Sequence, residues 1–290
     1  MPSHSRYTLL IPTYNRPEHL RRLLGYLAAR RFKFPIRILD SSSGGALSEN
    51  RQTVGEGGLD IAHEVYDPAI PIHKKVELGI ASVESTYCSL CADDDVLFTD
   101  ELDGLLDILD ANPDVAVAHG YYVNFRPGEN FDIWYTDYSA PSIVAEDALA
   151  RLAKQMSDYQ AIFYGVHRTS TMKTIRVPLD RVKSLWAKEL LTSTLALIDG
   201  RMCRVPRYYM ARNSNPSIAT KGWHPHQFFA IRLRAVRALV EDPGYITLRL
   251  ARRLVWLSIW TKLAPVFGTG FRRWVRAVRT QYRRRLWHTH

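Results

Sequence analysis

Cysteine is scarce in this chain: three in 290 residues, which excludes a disulfide scaffold and suits a reducing compartment. No uninterrupted run of 18 apolar residues occurs, so the sequence offers no plain transmembrane helix. The apolar run after Tyr7 is too short for the core of a signal peptide, and secretion is not expected. Internal repeats and low-complexity segments are missing too. Acidic residues stop at Asp242. Beyond it come 11 Arg and Lys with no Asp or Glu, leaving residues 1–242 with 28 basic against 29 acidic side chains. The net charge of +10 therefore belongs to the tail. A neutral body with a basic end predicts an anionic partner surface, either membrane or nucleic acid.

What is present reads as alternating strands and helices, with 46% hydrophobic residues to build a core. Tyr7–Pro12 is a short apolar strand. Asn15, with Pro17 and Glu18 behind it, reads as a helix start, and Leu20, Leu23, Leu24 and Leu27 recur at helical spacing opposite Arg21, Arg22 and Arg30. Pro35–Asp40 is a second strand, Ser41–Gly45 a loop and Ile61–Tyr66 a weaker third strand. His73–Val83 predicts a helix, Tyr87–Ala92 a strand and Thr99–Leu109 another amphipathic helix. Val115–His119 and Tyr121–Phe125 follow as strands, then a helix over Trp186–Ile198 and a strand over Met202–Met210. This order predicts an α/β fold built from βαβ units, a mainly parallel sheet covered on both faces. Ligands of such sheets bind beyond the carboxyl ends of the strands. Asp40 and the run Asp93-Asp94-Asp95 both stand at such ends.

Three adjacent carboxylates raise one another's pKa unless something positive compensates them. A hard divalent ion does so, and it prefers carboxylate and phosphate oxygens. Side chains two apart on an extended segment point the same way, so Asp93 and Asp95 can share an ion while Asp94 faces elsewhere. The alternative is a solvated acidic turn leading into the next helix.

Three segments together, Leu9-Leu-Ile-Pro-Thr-Tyr-Asn-Arg-Pro17, Ile38-Leu-Asp-Ser-Ser42 and Ala92-Asp-Asp-Asp-Val96, resemble the N-terminal half of family 2 glycosyltransferases of the GT-A fold. The likeness covers about residues 7–215. It implies a GT-A-type, Rossmann-like sheet, with 1–125 as the nucleotide-sugar half and 126–242 as the acceptor half of one catalytic domain. Residues 243–290 then form a basic, amphipathic helical extension. By the same likeness Pro12, Thr13, Tyr14 and Arg16 line the nucleotide pocket, and Asp40 contacts base or ribose. Asp93 and Asp95 hold Mn²⁺ or Mg²⁺ with the diphosphate, and Asp94 beside them joins the nucleotide-binding residues. Lys74, with Lys75 next to it, adds positive charge at the start of the preceding helix, unless both only solvate a helix terminus.

Transfer also needs a base for the acceptor hydroxyl. Glu189, in Trp186-Ala-Lys-Glu-Leu-Leu191, stands where the family places its carboxylate, although Lys-Glu replaces the family's Glu-Asp pair. Asp180 and Asp147 are fallbacks. His224 is a further candidate metal ligand and Arg212 a candidate for the diphosphate, since a guanidinium pairs well with phosphate. Cys88 and Cys91, three apart on a strand, face opposite sides and read as buried thiols. The Gln-x-x-Arg-Trp signature of processive synthases is missing.

The likeness implies a metal-dependent, inverting, non-processive transferase acting from a nucleotide sugar onto a saccharide or lipid-linked acceptor. In the tail, Trp256, Trp260 and Trp274 lie among arginines, which suits a membrane interface better than nucleic acid. A cytoplasmic enzyme held on the inner membrane face is expected. The rival readings are a non-enzymatic protein peripheral to a membrane and a nucleotidyltransferase of related fold, though the latter should open on a glycine-rich phosphate loop.

Overall fold

The computed structural model describes residues 5–56, 58–126, 132–137, 141–157, 162–174, 193 and 196–213. The first strand, β1 (Tyr7–Thr13), is buried along its length and sets the layering. Its side chains alternate between two cores. Tyr7, Leu9 and Ile11 join a cluster with Leu20, Leu23, Leu24 and Leu27 of α1 (Pro17–Ala29) and with Leu102, Leu105, Leu106 and Leu109 of α4 (Leu102–Ala111). Leu10 faces the other way, onto Leu39, Val76, Ile80 and Met172. Helices thus cover both faces, as a continuous apolar strand requires.

Strands β2 (Ile36–Asp40), β3 (Ile61–Val65) and β4 (Tyr87–Leu90) complete a parallel block in the order β3-β2-β1-β4. Helices α2 (Gly44–Glu56) and α3 (Ile72–Ala81) connect these strands. The sheet continues through β8 (Val166–Arg168), β6 (Val115–Arg126), β9 (Arg201–Asn213) and β5 (Val96–Leu97), with β7 (Asp132–Asp137) beside β6. Strands β6 and β9 run parallel, whereas the pairings of β8, β7 and β5 are antiparallel. The result is a mixed, mostly parallel sheet flanked by helices, in which β8 joins the two halves by pairing with both β4 and β6. Cys88 and Cys91 are buried and free, one in each core.

Three local expectations change. Asn15 does not cap α1. That place falls to Arg16, without a side-chain cap bond, while Asn15 adopts a left-handed φ of 51°. Its Oδ1 accepts from the Ser43 amide at 3.0 Å and its own amide donates to Ser42 Oγ at 2.8 Å, so it ties β1 to the loop after β2. Asparagine tolerates that backbone better than most residues. The loop expected from Ser41 gives way at Gly44 to α2, whose buried side is polar (Asn50 and Thr53), so no apolar stripe announces it. Finally, Val115–Arg126 is one strand running through Gly120. A Cβ there would lie 2.5 Å from Tyr209 Cβ and 2.6 Å from the Arg207 carbonyl oxygen, so the missing side chain admits β9.

Candidate functional site

The carboxyl ends of β1, β2 and β4 meet in a buried polar network. Thr13, the last residue of β1, donates from Oγ1 to Asp93 Oδ2 at 2.8 Å. Arg16 Nη1 lies 3.3 Å from both Asp93 Oδ1 and Asp94 Oδ2. Arg22, expected only on the outer face of α1, reaches the Asp94 carbonyl oxygen at 2.9 Å. Asp95 Oδ1 accepts from the Asn213 amide at 2.9 Å, which brings the end of β9 to the acidic turn. Asp93 and Asp95 are both buried and Asp94 less so. Burial therefore alternates along the turn between β4 and β5, although Arg16 reaches Asp94 as well as Asp93.

Burial dominates the electrostatics of this turn. It raises the Asp93 carboxyl against the pull of Thr13 and Arg16, and lifts Asp95 to about 7 although Arg212 and the Asn213 amide oppose it. Two under-compensated carboxylates are a donor set suited to a hard cation, which removes the burial penalty on their charge. Asn213, whose backbone amide reaches Asp95, has a side-chain oxygen that is buried with no hydrogen-bond partner among the described residues. These oxygens fit a divalent ion in kind. No group of three His, Cys, Asp or Glu side chains converges among the described residues, so other oxygens must complete any such shell.

Below the turn the Lys75 ammonium is buried and donates to the Thr13 carbonyl oxygen and to Ser41 Oγ, both at 2.7 Å. Burial pulls its pKa down to about 8, with Asp40 and Asp93 acting to hold its charge. Lys74, contrary to expectation, lies outside the network, exposed and paired with Glu77 at 3.2 Å. One step along a helix turns a side chain by about 100°, and the choice between two adjacent lysines was a choice of face.

Asp40 also departs from expectation. Its carboxylate has no exposed surface and is engaged inside the protein, so it braces the end of β2 and offers no free edge to a base or ribose. Oδ1 accepts from the Ser42 amide at 2.7 Å, and Oδ2 from Asn50 Nδ2 at 2.9 Å and His63 Nε2 at 3.0 Å. Burial would raise this acid, but the bonds from His63, Ser42 and Asn50 outweigh it and hold the pKa at about 2. A carboxylate only accepts, so the Nε2 proton of His63 points at it.

Of the remaining candidates, Pro12 is half-buried near the end of β1 and Tyr14, just after that strand, is exposed. The Arg212 guanidinium lies over the rings of Tyr164 and Tyr122, 5.2 and 5.8 Å from their centroids. Asp147 accepts from the Ala150 amide at 2.9 Å at the start of α5 (Ala148–Ser157), a capping bond at an exposed position. Glu189, Asp180, His224 and the tail 243–290 lie outside the described residues. Four participants escaped the sequence: Arg22, Asn50, His63 and Asn213.

Comparisons with known proteins come only through structure. No protein-family profile and no curated protein matches the sequence. The crystal structure of S. aureus TarS 1–349 in complex with UDP-GlcNAc superposes with a TM-score of 0.59 at 14% identity, over 89% of this chain and 72% of that one. The UDP complex of the same protein gives 0.58 at 14% identity, again over 89% and 72%. The mannosyltransferase PcManGT from Pyrobaculum calidifontis, in complex with GDP-Man and Mn²⁺, gives 0.50 at 12% identity, over 97% and 81%. The chain has the GT-A fold. In this GT-A sheet the acidic turn follows β4, the strand that pairs with β1 in parallel and with β8 antiparallel.

Proposed function

We propose that this GT-A chain is a glycosyltransferase that takes a sugar from a nucleotide donor and passes it, one unit at a time and with inversion, to a saccharide or lipid-linked acceptor. The observation that carries this reading is the acidic turn. Asp93 and Asp95 are buried with raised pKa values at the carboxyl end of β4, ringed by Arg16, Arg22, Lys75 and Arg212. Carboxylates and guanidinium groups so interleaved suit a diphosphate together with a divalent ion.

Asp93 and Asp95 would hold Mn²⁺ or Mg²⁺, with Asn213 nearby. When bound, such an ion stabilises the charge that develops on a departing diphosphate. The protein's own part is positional. Lys75 and the Ser41 amide fix the Thr13 carbonyl, and the Thr13 hydroxyl fixes Asp93. Asp40 braces the β2 end, Pro12 and Tyr14 line the entrance, and Arg212 supplies charge to the diphosphate. Glu189 is the proposed base for the acceptor hydroxyl, in keeping with the family 2 likeness. The basic tail is proposed to rest on the inner face of a membrane.

A thermal-shift screen tests the reading. UDP-GlcNAc, GDP-Man and related donors should raise Tm by several degrees in the presence of Mn²⁺ and little in its absence. Asp95→Asn should abolish the metal-dependent part. Donors that leave Tm unmoved under both conditions would remove the proposal.

A further inference from the structure

Among the described residues four cations lie around the acidic turn, and they are not equivalent. Lys75 is buried and held by Thr13 and Ser41. Arg22 donates to the Asp94 carbonyl oxygen, a backbone group. Arg212 is stacked over two tyrosine rings. Arg16 alone among these places a guanidinium nitrogen against two carboxylates of the turn, at 3.3 Å from each, and its side chain is 47% exposed.

The oxygen it faces on Asp93 matters. Oδ2 accepts from Thr13 at 2.8 Å, and Arg16 approaches the other oxygen, Oδ1, so an ion that binds there meets the guanidinium as a competitor. The backbone under Arg16 is pinned. Asn15 is tied to Ser42 and Ser43, and Pro17 follows as the first residue of α1. Any departure of the guanidinium is therefore a swing of the side chain and not a loop movement.

We propose that Arg16 is a counter-cation that competes with a divalent ion for Asp93 and, once released by the ion, pairs with the diphosphate. The inference rests on the metal-dependent reading above and adds an order to it. A singly charged guanidinium beside a doubly charged ion is repulsive, so the ion alone binds poorly. The diphosphate relieves that repulsion by giving Arg16 a new partner, which suits a bidentate guanidinium. Ion and nucleotide thus assist each other, and the coupling is reciprocal by linkage.

Calorimetric titration of the full chain tests this, using Mn²⁺ alone, UDP or GDP in EDTA, and nucleotide with Mn²⁺. Arg16→Gln should bind Mn²⁺ alone about tenfold more tightly than the parent protein and metal-free nucleotide severalfold more weakly. Arg16→Lys, which retains the charge, should stay close to the parent in its response to Mn²⁺ alone. Melting curves verify that each variant is folded. A purely structural role for Arg16 cannot move the two affinities in opposite directions. The proposal is overturned if folded Arg16→Gln binds Mn²⁺ no better than the parent, or if the Lys variant behaves as the Gln variant does. Loss of the underlying reading looks different: neither nucleotide's affinity for the parent protein would then respond to Mn²⁺.

Discussion

The ammonium of Lys75 donates to the carbonyl oxygen of Thr13 at 2.7 Å, and through Thr13 it reaches the acidic turn. Strand β1, helix α3 and the segment after β4 are thereby locked at one residue, whose carbonyl faces the lysine and whose hydroxyl faces Asp93.

Lys75→Met should therefore loosen Asp93 without unfolding the chain, because losing two hydrogen bonds is offset by no longer burying an ammonium whose pKa is already depressed. Nucleotide-sugar turnover should fall by about tenfold or more, as expected of a displaced functional group. Lys74→Met, at the exposed neighbour, should leave turnover and Tm unchanged. Parallel kinetics and melting curves check both, and equal loss in the two variants would contradict the assigned faces.

Asp40 gives the protein a dependence on acid. Its folded pKa of about 2 lies below the ordinary 3.8, so its stabilisation is complete above the ordinary value and is lost as pH falls from about 4 toward 2. The shift corresponds to about 2 kcal/mol. Asp40→Asn should lose that much stability at pH 7 and flatten the acid limb of a urea-unfolding series. An unchanged acid limb would mean that the bonds from His63, Ser42 and Asn50 do not hold the charge.

Gly120→Ala should destabilise by about 2 kcal/mol or more, since its Cβ would press on Tyr209 and on backbone that cannot yield. Chemical denaturation measures it. A neutral result would show that β6 and β9 can part at this point.

Truncation after Pro243 should release the protein from anionic vesicles. Each basic residue near such a surface contributes about 1 kcal/mol, and 11 lie beyond that point. Co-sedimentation with phosphatidylserine vesicles checks this. Binding that survives truncation would place the contact on the body.

The strands and helices that bury leucine were legible because apolar spacing is itself the cause of those elements: β1, α1 and α4 stand close to where the pattern puts them. Helix α2 was illegible for the converse reason. Its inner face is Asn50, turned to Asp40, and polar burial leaves no periodic trace. The acidic run at the end of β4 was equally plain, since order along the chain and strand polarity suffice to place it. Which lysine enters the network, that Asp40 is enclosed, and that Asn213 arrives from more than a hundred residues away to touch Asp95 were settled only by the tertiary structure. Sequence order determines which backbone a side chain stands on. Its partner across the sheet depends on packing between elements, and no local pattern along the chain encodes that.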